Sequence, residues 1–177
     1  MSKNHIILLG MPGSGKSTIG FHLAKLMKIP FIDTDRYIVN KMQKPINDIF
    51  NEAGEEAFRE MENRTLTEIL KKRGHFVISV GGGMPCFHNN MKIMNENAIT
   101  VYLELSAEDL FQYLKNDKKR PLLSGKSGEE LMQYIRATLD VRQTYYEKAD
   151  IKIHAHDGTP AEFAAKLLNV ILRFRTP

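Results

Sequence analysis

The chain alternates short apolar runs with longer stretches in which apolar residues recur at helical spacing. Strands are predicted at Ile6–Leu9, Phe31–Ile32, Phe76–Val80, Ile99–Leu105 and Ile151–His154. Most of these runs are apolar at every position, which is typical of strands covered by helices on both faces. Strands that alternate with helices in this way predict an α/β fold with a parallel sheet.

Helix boundaries are marked by capping signals. Three predicted helix starts carry a hydroxyl residue three positions before an acidic one: Ser106 with Asp109, Ser127 with Glu130, and Thr159 with Pro160 and Glu162. Gly74 follows the triplet Lys71–Arg73, so a helix is expected to end there with these cations on its last turn. We interpret the triplet as a solvated helix end and not as a nucleic-acid patch.

The stretch between the second and third predicted strands is unusually long. Residues 33–75 carry two helical patterns with Gly54 between them. A plain βαβ crossover needs only one helix. The additional helix is therefore available to hold a substrate.

A glycine-rich loop follows the first strand. Gly10–Ser17 reads G-M-P-G-S-G-K-S, which matches G-x-x-x-x-G-K-[ST] in full, and a helix is predicted from Ser17 to Met27. Such a loop turns its N–H groups toward an anion at the positive end of the helix. Lys16 is then expected to reach the β- and γ-phosphates of a nucleotide, and the Ser17 hydroxyl to bind Mg²⁺.

Composition narrows the class of protein. The chain has 177 residues, of which 42% are hydrophobic and 26% charged, so it is expected to fold as one globular domain. A net charge of +4 suits an anionic substrate but is too small to argue for nucleic acid. The single cysteine, Cys86, excludes an internal disulfide, and the N-terminal apolar run is too short for a signal peptide or membrane span. We expect a cytoplasmic protein.

Acidic residues end the second strand. Asp33 and Asp35 lie two apart, so both would point to one side if this segment is extended. They would then face one site at the carboxyl end of the sheet, one serving a metal and the other an acceptor hydroxyl. In the alternative interpretation, Thr34 or Asp35 caps the helix that follows.

Basic residues and glycines supply further candidates. Arg59 stands three residues before Glu62, which predicts either an exposed ion pair or an arginine fork for a substrate carboxylate. The triplet Gly81–Gly83 allows a ligand close to the backbone or a turn with positive φ. Arg120 lies in a basic loop that is either an ordinary surface loop or a lid over the transferring phosphoryl group. Arg142 is a second candidate carboxylate partner or a surface residue.

Taken together, these motifs resemble the shikimate kinases. The resemblance rests on six segments in the family's order, which span nearly the whole chain: Gly10–Ser17, Asp33–Asp35, Ile46–Glu62, Gly81–Gly83, Arg120–Leu123 and Arg142–Asp150. The phosphate loop is generic, whereas the combination is specific. The resemblance implies transfer of the γ-phosphoryl group of ATP to the 3-hydroxyl of shikimate, giving shikimate 3-phosphate and ADP, in aromatic amino-acid synthesis through chorismate.

The resemblance also implies a fold. We expect a three-layer αβα arrangement with a five-stranded parallel sheet in the order 2-3-1-4-5, similar to the nucleoside monophosphate kinases. Residues 1–177 would form a single domain, with a substrate-binding insertion at 33–62 and a lid at 113–128. The expected protein is a monomer that binds ATP and shikimate and neither nucleic acid nor a membrane.

Site residues follow from the same resemblance. Shikimate would contact Asp35, Arg59, Gly81, Gly82, Gly83 and Arg142. ATP would contact Gly13, Ser14, Gly15, Lys16, Ser17, Thr18 and Arg120. Mg²⁺ would be held by Ser17 and, through water, by Asp33, and catalysis would depend on Lys16, Asp35 and Arg120.

Two other functions are considered. Another small-molecule kinase with the same loop, such as a gluconate kinase, would need a different set of acceptor-site residues, whereas Asp35 with Arg59 and Arg142 favours a small carboxylic acid. A nucleotide-binding switch without an acceptor would need a guanine-recognition motif such as N-K-x-D, and the sequence contains none.

Overall fold

Five parallel strands form the centre of the molecule in a computed structural model that describes residues 3–115, 128–155 and 158–175. The strands are β1 (His5–Leu9), β2 (Phe31–Asp33), β3 (Val77–Ser79), β4 (Ala98–Glu104) and β5 (Ile151–His154). They pair in the order β2-β3-β1-β4-β5, with all four pairings parallel. This confirms the predicted order 2-3-1-4-5 and the predicted strands to within one residue at each end.

Helices cover both faces of the sheet. They are α1 (Lys16–Met27), α2 (Thr34–Met42), α3 (Ile46–Leu70), α4 (Asn90–Asn97), α5 (Ala107–Leu114), α6 (Gly128–Tyr146) and α7 (Pro160–Arg175), and a 3₁₀ turn spans Met84–Cys86. None of the helices in these three ranges is long and apolar enough to cross a membrane.

The strand side chains divide into two cores. Ile7 and Leu9 of β1 belong to a cluster with residues of α3, α4, α5 and α6, whereas Ile6 and Leu8 belong to a second cluster with α1 and α7. All four side chains are at most 1% exposed. Because both faces of β1 are buried, the sequence shows a continuous apolar run at this strand. The result is the expected three-layer αβα fold.

Two of the predicted helix starts are confirmed. The Ser106 hydroxyl accepts a hydrogen bond from the backbone N–H of Asp109, at 3.0 Å. Thr159 and Glu162 form a reciprocal capping box, since the Glu162 carboxylate accepts the Thr159 backbone N–H at 2.7 Å and the Thr159 hydroxyl accepts that of Glu162 at 3.3 Å. The third predicted cap, Ser127, lies outside the described residues.

The prediction that Lys71–Arg73 lie on the last turn of a helix is wrong. Helix α3 ends at Leu70, so the triplet lies beyond its last turn, followed by Gly74 at φ 109°. Lys71 is the C-cap residue: its N–H donates to the Thr67 carbonyl at 3.3 Å, and the Lys72 N–H donates to the Ile69 carbonyl at 3.1 Å.

The segment between β2 and β3 contains α2 and α3 and has a small core of its own. Ile38, Ile49 and Phe58 are buried against one another. Gly54 interrupts α3 with non-helical torsions, φ 81° and ψ 170°, which confirms the predicted division there. The sequence pattern did not separate α2 from α3, where Gln43 adopts φ 54° before Pro45.

Candidate active site

The loop after β1 forms an anion cradle at the start of α1. Gly13 and Gly15 have φ of 90° and 80°, which side chains rarely adopt. The Lys16 side chain is 8% exposed and lies across the loop, where its ammonium group donates to the carbonyls of Gly10 (2.9 Å) and Met11 (2.8 Å). The loop thus brings a cation and the positive end of a helix to one place.

Three oxygen-bearing side chains meet beside this loop. The Ser17 hydroxyl donates to Asp33 Oδ2 at 2.6 Å, and Ser79 Oγ lies 3.4 Å from Ser17 Oγ. Carboxylate and hydroxyl oxygens are the ligand type that Mg²⁺ prefers in proteins. The residues predicted to hold the metal are therefore adjacent and chemically suited to it.

The expected geometry of the acidic segment is wrong. The segment is not extended, because β2 ends at Asp33 and α2 begins at Thr34. Asp33 is the N-cap, with Oδ1 accepting the Arg36 N–H at 3.1 Å, so neither Thr34 nor Asp35 caps the helix. Thr34 is fully buried, and its hydroxyl accepts the Gly81 N–H at 3.1 Å. Asp35 instead reaches the carboxyl end of the sheet, beside Gly81, from the first turn of α2.

The glycine triplet lies against the predicted substrate-binding residues. A Cβ atom on Gly81 would be 2.9 Å from an Asp35 carboxylate oxygen, and one on Gly82 would be 3.1 Å from Arg142 Nη1. A Cβ on Gly83 would be 2.7 Å from Arg59 Nη1. None of the three glycines has a positive φ, so their role is close approach and not a left-handed turn.

Arg59 is held between two carboxylates. Its Nη1 donates to Glu62 Oε2 at 2.7 Å, and its Nε and Nη2 donate to Glu55 Oε1 at 3.3 and 3.1 Å. The Arg59 side chain is 12% exposed and that of Glu62 is 2% exposed, so the interpretation as an exposed ion pair is wrong. The Phe87 ring lies 4.4 Å from the guanidinium carbon. The result is a guanidinium fixed in position at the edge of the glycine triplet.

The pKa values of Glu62 and Arg59 reflect both their burial and their pairing. Burial raises the pKa of the Glu62 carboxyl, which the ion pair with Arg59 opposes. Burial also disfavours the charge on Arg59, yet the hydrogen bonds and charges of Glu62 and Glu55 raise the pKa of its guanidinium. The ion pair thus favours the charged form of each group against the cost of its burial.

Helix α6 contributes two side chains to the site. Arg142 reaches Gly82, and Tyr146, one turn later, donates from its hydroxyl to the Gly82 carbonyl at 2.6 Å. Tyr146 is fully buried, and burial raises the pKa of its phenol. Sequence reasoning did not assign a role to Tyr146, although its spacing of four from Arg142 places both on one helix face. The structure brings Asp35, Arg59 and Arg142 together around the glycines, which excludes a purely surface role for Arg142.

Two adjoining cavities extend from the phosphate loop. The first, of about 250 Å³, is lined by Gly13, Gly15, Lys16, Ser17, Thr18, Tyr113 and Leu114. The second, of about 220 Å³, is lined by Gly13, Ser14, Gly15, Ile19, Leu105, Tyr113, Ala155, Gly158, Pro160 and Phe163. Tyr113 borders both, and the second is mostly apolar, which suits a flat heterocycle next to the phosphates. Arg120 and most of the predicted lid lie outside the described residues.

Comparisons with known proteins agree with one another. The shikimate kinase family model matches residues 12–172. A shikimate kinase of Parabacteroides distasonis is 46% identical over 151 residues, covering 85% of this chain and 87% of that protein.

Solved structures lead to the same family. The shikimate kinase of Bacteroides thetaiotaomicron superposes with a TM-score of 0.89 at 38% identity, covering 96% of this chain and 98% of that one. The shikimate kinase of Acinetobacter baumannii in complex with shikimate gives 0.89 at 33% identity, covering 99% and 97%. A gluconokinase from Sinorhizobium meliloti shares the fold at 17% identity and a TM-score of 0.56. The family model and these relatives together establish that this chain belongs to the shikimate kinase family.

Proposed function

We propose that this protein transfers the γ-phosphoryl group of ATP to the 3-hydroxyl of shikimate, giving shikimate 3-phosphate and ADP in chorismate and aromatic amino-acid biosynthesis. The main support is that Asp35, Arg59 and Arg142 converge on Gly81–Gly83. These glycines lie at the carboxyl end of the parallel sheet, which also bears the phosphate loop. Family membership also supports the proposal, since the A. baumannii relative was solved with shikimate bound.

The chemistry of the substrate matches the proposed site. Shikimate carries one carboxylate and three hydroxyls. We assign the carboxylate to Arg59 and Arg142, because guanidinium groups bind carboxylates through paired N–H bonds. Asp35 would accept a hydrogen bond from a hydroxyl. The Gly81 N–H already donates to Thr34, so a backbone contact to substrate is assigned to Gly82 or Gly83.

Phosphoryl transfer would then depend on position and charge. Lys16 would contact the β- and γ-phosphates and stabilise their negative charge. Arg120, from the proposed lid at 113–128, would contact the transferring group. Asp35 would orient the attacking hydroxyl in line with the γ-phosphorus and accept its proton. Mg²⁺, held by Ser17 and through water by Asp33, would neutralise phosphate charge.

The nucleotide would extend along the two cavities described above. Gly13 to Thr18 would hold the phosphates, and the base would enter the cavity of about 220 Å³ between Tyr113 and Pro160. We further propose that residues 33–62 serve as the substrate-binding insertion within a single domain, and that the protein acts as a cytoplasmic monomer.

The direct test is a coupled ADP-release assay with shikimate, gluconate and nucleoside monophosphates as acceptors. We expect turnover with shikimate and with neither of the other acceptors. Turnover should be lost when EDTA removes Mg²⁺ and should recover when Mg²⁺ is restored. Lys16→Ala should lower kcat by about 100-fold or more, because it removes a fixed charge from the developing negative site. Lys25→Ala, an exposed lysine of the same helix, is the matched control. Preferential turnover of gluconate or a nucleotide would overturn the assignment.

A further inference from the structure

The two carboxylates that contact Arg59 hold it in unequal ways. Glu62 accepts one hydrogen bond of 2.7 Å and is 2% exposed. Glu55 accepts two longer bonds, 3.3 and 3.1 Å, through a single oxygen and is 58% exposed. A buried, short ion pair is a fixed part of a site, whereas an exposed pair is readily exchanged with solvent or another anion.

The position of Glu55 on Arg59 matters for ligand binding. Nε and Nη2 form the side of the guanidinium that can offer two parallel N–H bonds to one carboxylate. Glu55 occupies this side, and Glu62 occupies Nη1. A substrate carboxylate that pairs with Arg59 in the same side-on manner therefore meets Glu55 first.

The backbone next to Glu55 permits it to move. Glu55 directly follows Gly54, where φ 81° and ψ 170° break α3. A Cβ atom on Gly54 would meet nothing within 4 Å, so the break is not packed against other parts of the described chain. Glu55 is thus the first residue after a helix break that is not packed against the rest of the described chain, and its side chain can leave Arg59 without disturbing the core that the structure describes.

We propose that Glu55 is a displaceable carboxylate that occupies the side-on face of Arg59 until the carboxylate of the substrate replaces it. This inference rests on the proposed function, because it concerns the same Arg59. Glu62 stays paired with Arg59 during the exchange, and a carboxylate occupies the side-on face before and after it. The exchange also means that an anion must supply further contacts, such as those of Asp35 and Arg142, to displace Glu55. Glu55 would therefore weaken the binding of every carboxylate that pairs with this side of Arg59, shikimate and simple anions alike.

The test compares Glu55→Gln with Glu60→Gln. Glu60 lies on the same helix, is 56% exposed and pairs with Arg64 at 2.6 Å, so its variant makes the same charge change away from Arg59. We measure the shikimate Kd by calorimetry, KM and kcat in the coupled assay, and inhibition by acetate.

With Glu55→Gln, we expect Kd and KM for shikimate to fall about three- to tenfold, because competition for the binding-competent Arg59 is removed. The acetate inhibition constant should fall by a similar factor, whereas kcat stays within about twofold and Glu60→Gln changes none of these values. Such a split of KM from kcat would not arise from a general loss of structure, which thermal melting monitors separately.

The opposite results are equally informative. Weaker or unchanged shikimate binding in a folded Glu55→Gln protein would overturn the displacement role and leave Glu55 as a permanent positioning residue or a bystander. Failure of the proposed function is a different observation, namely that the unsubstituted protein neither binds nor phosphorylates shikimate.

Discussion

The hydroxyl of Tyr146 donates a hydrogen bond of 2.6 Å to the backbone carbonyl of Gly82, joining α6 to the glycine triplet across 64 positions of sequence. The same helix carries Arg142, which lies against Gly82. Tyr146 thereby ties the helix that carries Arg142 to the backbone that Arg142 approaches.

We expect Tyr146→Phe to lower the free energy of unfolding by about 1–2 kcal/mol, because the partly buried Gly82 carbonyl loses its hydrogen-bond donor. KM for shikimate should rise as α6 and the triplet loosen. Urea denaturation and steady-state kinetics measure the two effects. Tyr145→Phe, at the neighbouring and less buried tyrosine, is the control. If the two variants behave alike, the Tyr146 hydrogen bond does not position the site.

The close approach of Arg59 to the backbone of Gly83 can be tested by substitution. A Cβ atom there would lie 2.7 Å from Arg59 Nη1, which is closer than real Cβ contacts. Because Glu62 and Phe87 hold the guanidinium, we expect Gly83→Ala to displace Arg59 and raise KM for shikimate by about tenfold.

The control for Gly83→Ala is Gly128→Ala at the start of α6. A Cβ there would lie 3.6 Å from the Phe111 ring, which is ordinary contact away from Arg59, so KM for shikimate should be unchanged. An unaltered KM in Gly83→Ala would show that the Arg59 guanidinium yields to the methyl group without effect on binding.

The features that sequence predicted are those governed by local pattern. The strands were recognisable because residues such as Ile6 and Ile7 point into different cores, leaving no polar position. The phosphate loop was recognisable because its glycines, Lys16 and Ser17 are contiguous. The capping box at Thr159 was likewise local, since both partners lie within four residues.

Contacts between distant segments were not predictable in the same way. D-T-D after a strand is compatible with either an extended segment or an N-capped helix, and only the structure shows that Asp33 caps α2. The bond from Tyr146 to Gly82 depends on how α6 crosses the sheet. The stacking of Phe87 on Arg59 depends on the 3₁₀ turn after the triplet. No sequence spacing specifies these relationships, because each requires the tertiary fold.

Asp35 provides a test of the acceptor side. Its carboxylate lies beside Gly81 and near Glu62, whose pKa is raised by burial and, to a lesser degree, by the Asp35 charge. We expect Asp35→Asn to lower kcat by about 100-fold or more, because an amide does not take the hydroxyl proton. The coupled assay measures this loss.

Thermal melting of Asp35→Asn should show a folded protein, since Asp35 is exposed. Asp48→Asn removes an exposed carboxylate from the first turn of α3 and should leave kcat unaltered. Near-normal turnover in Asp35→Asn would remove Asp35 from the reaction.

The buried His5, which lies away from the candidate active site, should make the free energy of unfolding depend on pH. Its side chain is 4% exposed in β1, and Nδ1 has no hydrogen-bond partner among the described residues. Burial lowers the pKa of the His5 imidazole from its ordinary value of 6.5; a hydrogen bond to the Leu70 backbone opposes this shift, and the nearby His75 adds to it. Below about pH 6.5 the unfolded chain therefore takes up a proton that the folded protein does not.

The free energy of unfolding should consequently fall as the pH drops below about 6.5, until the folded-state imidazole also becomes protonated. His5→Phe keeps an aromatic ring next to Phe76, whose centroid lies 5.5 Å from that of His5, and removes the titration. Urea denaturation between about pH 7.5 and 5 should give a shallower pH dependence for His5→Phe than for the unsubstituted protein or for His22→Phe. Identical slopes in all three proteins would mean that His5 is not protonated on unfolding in this range.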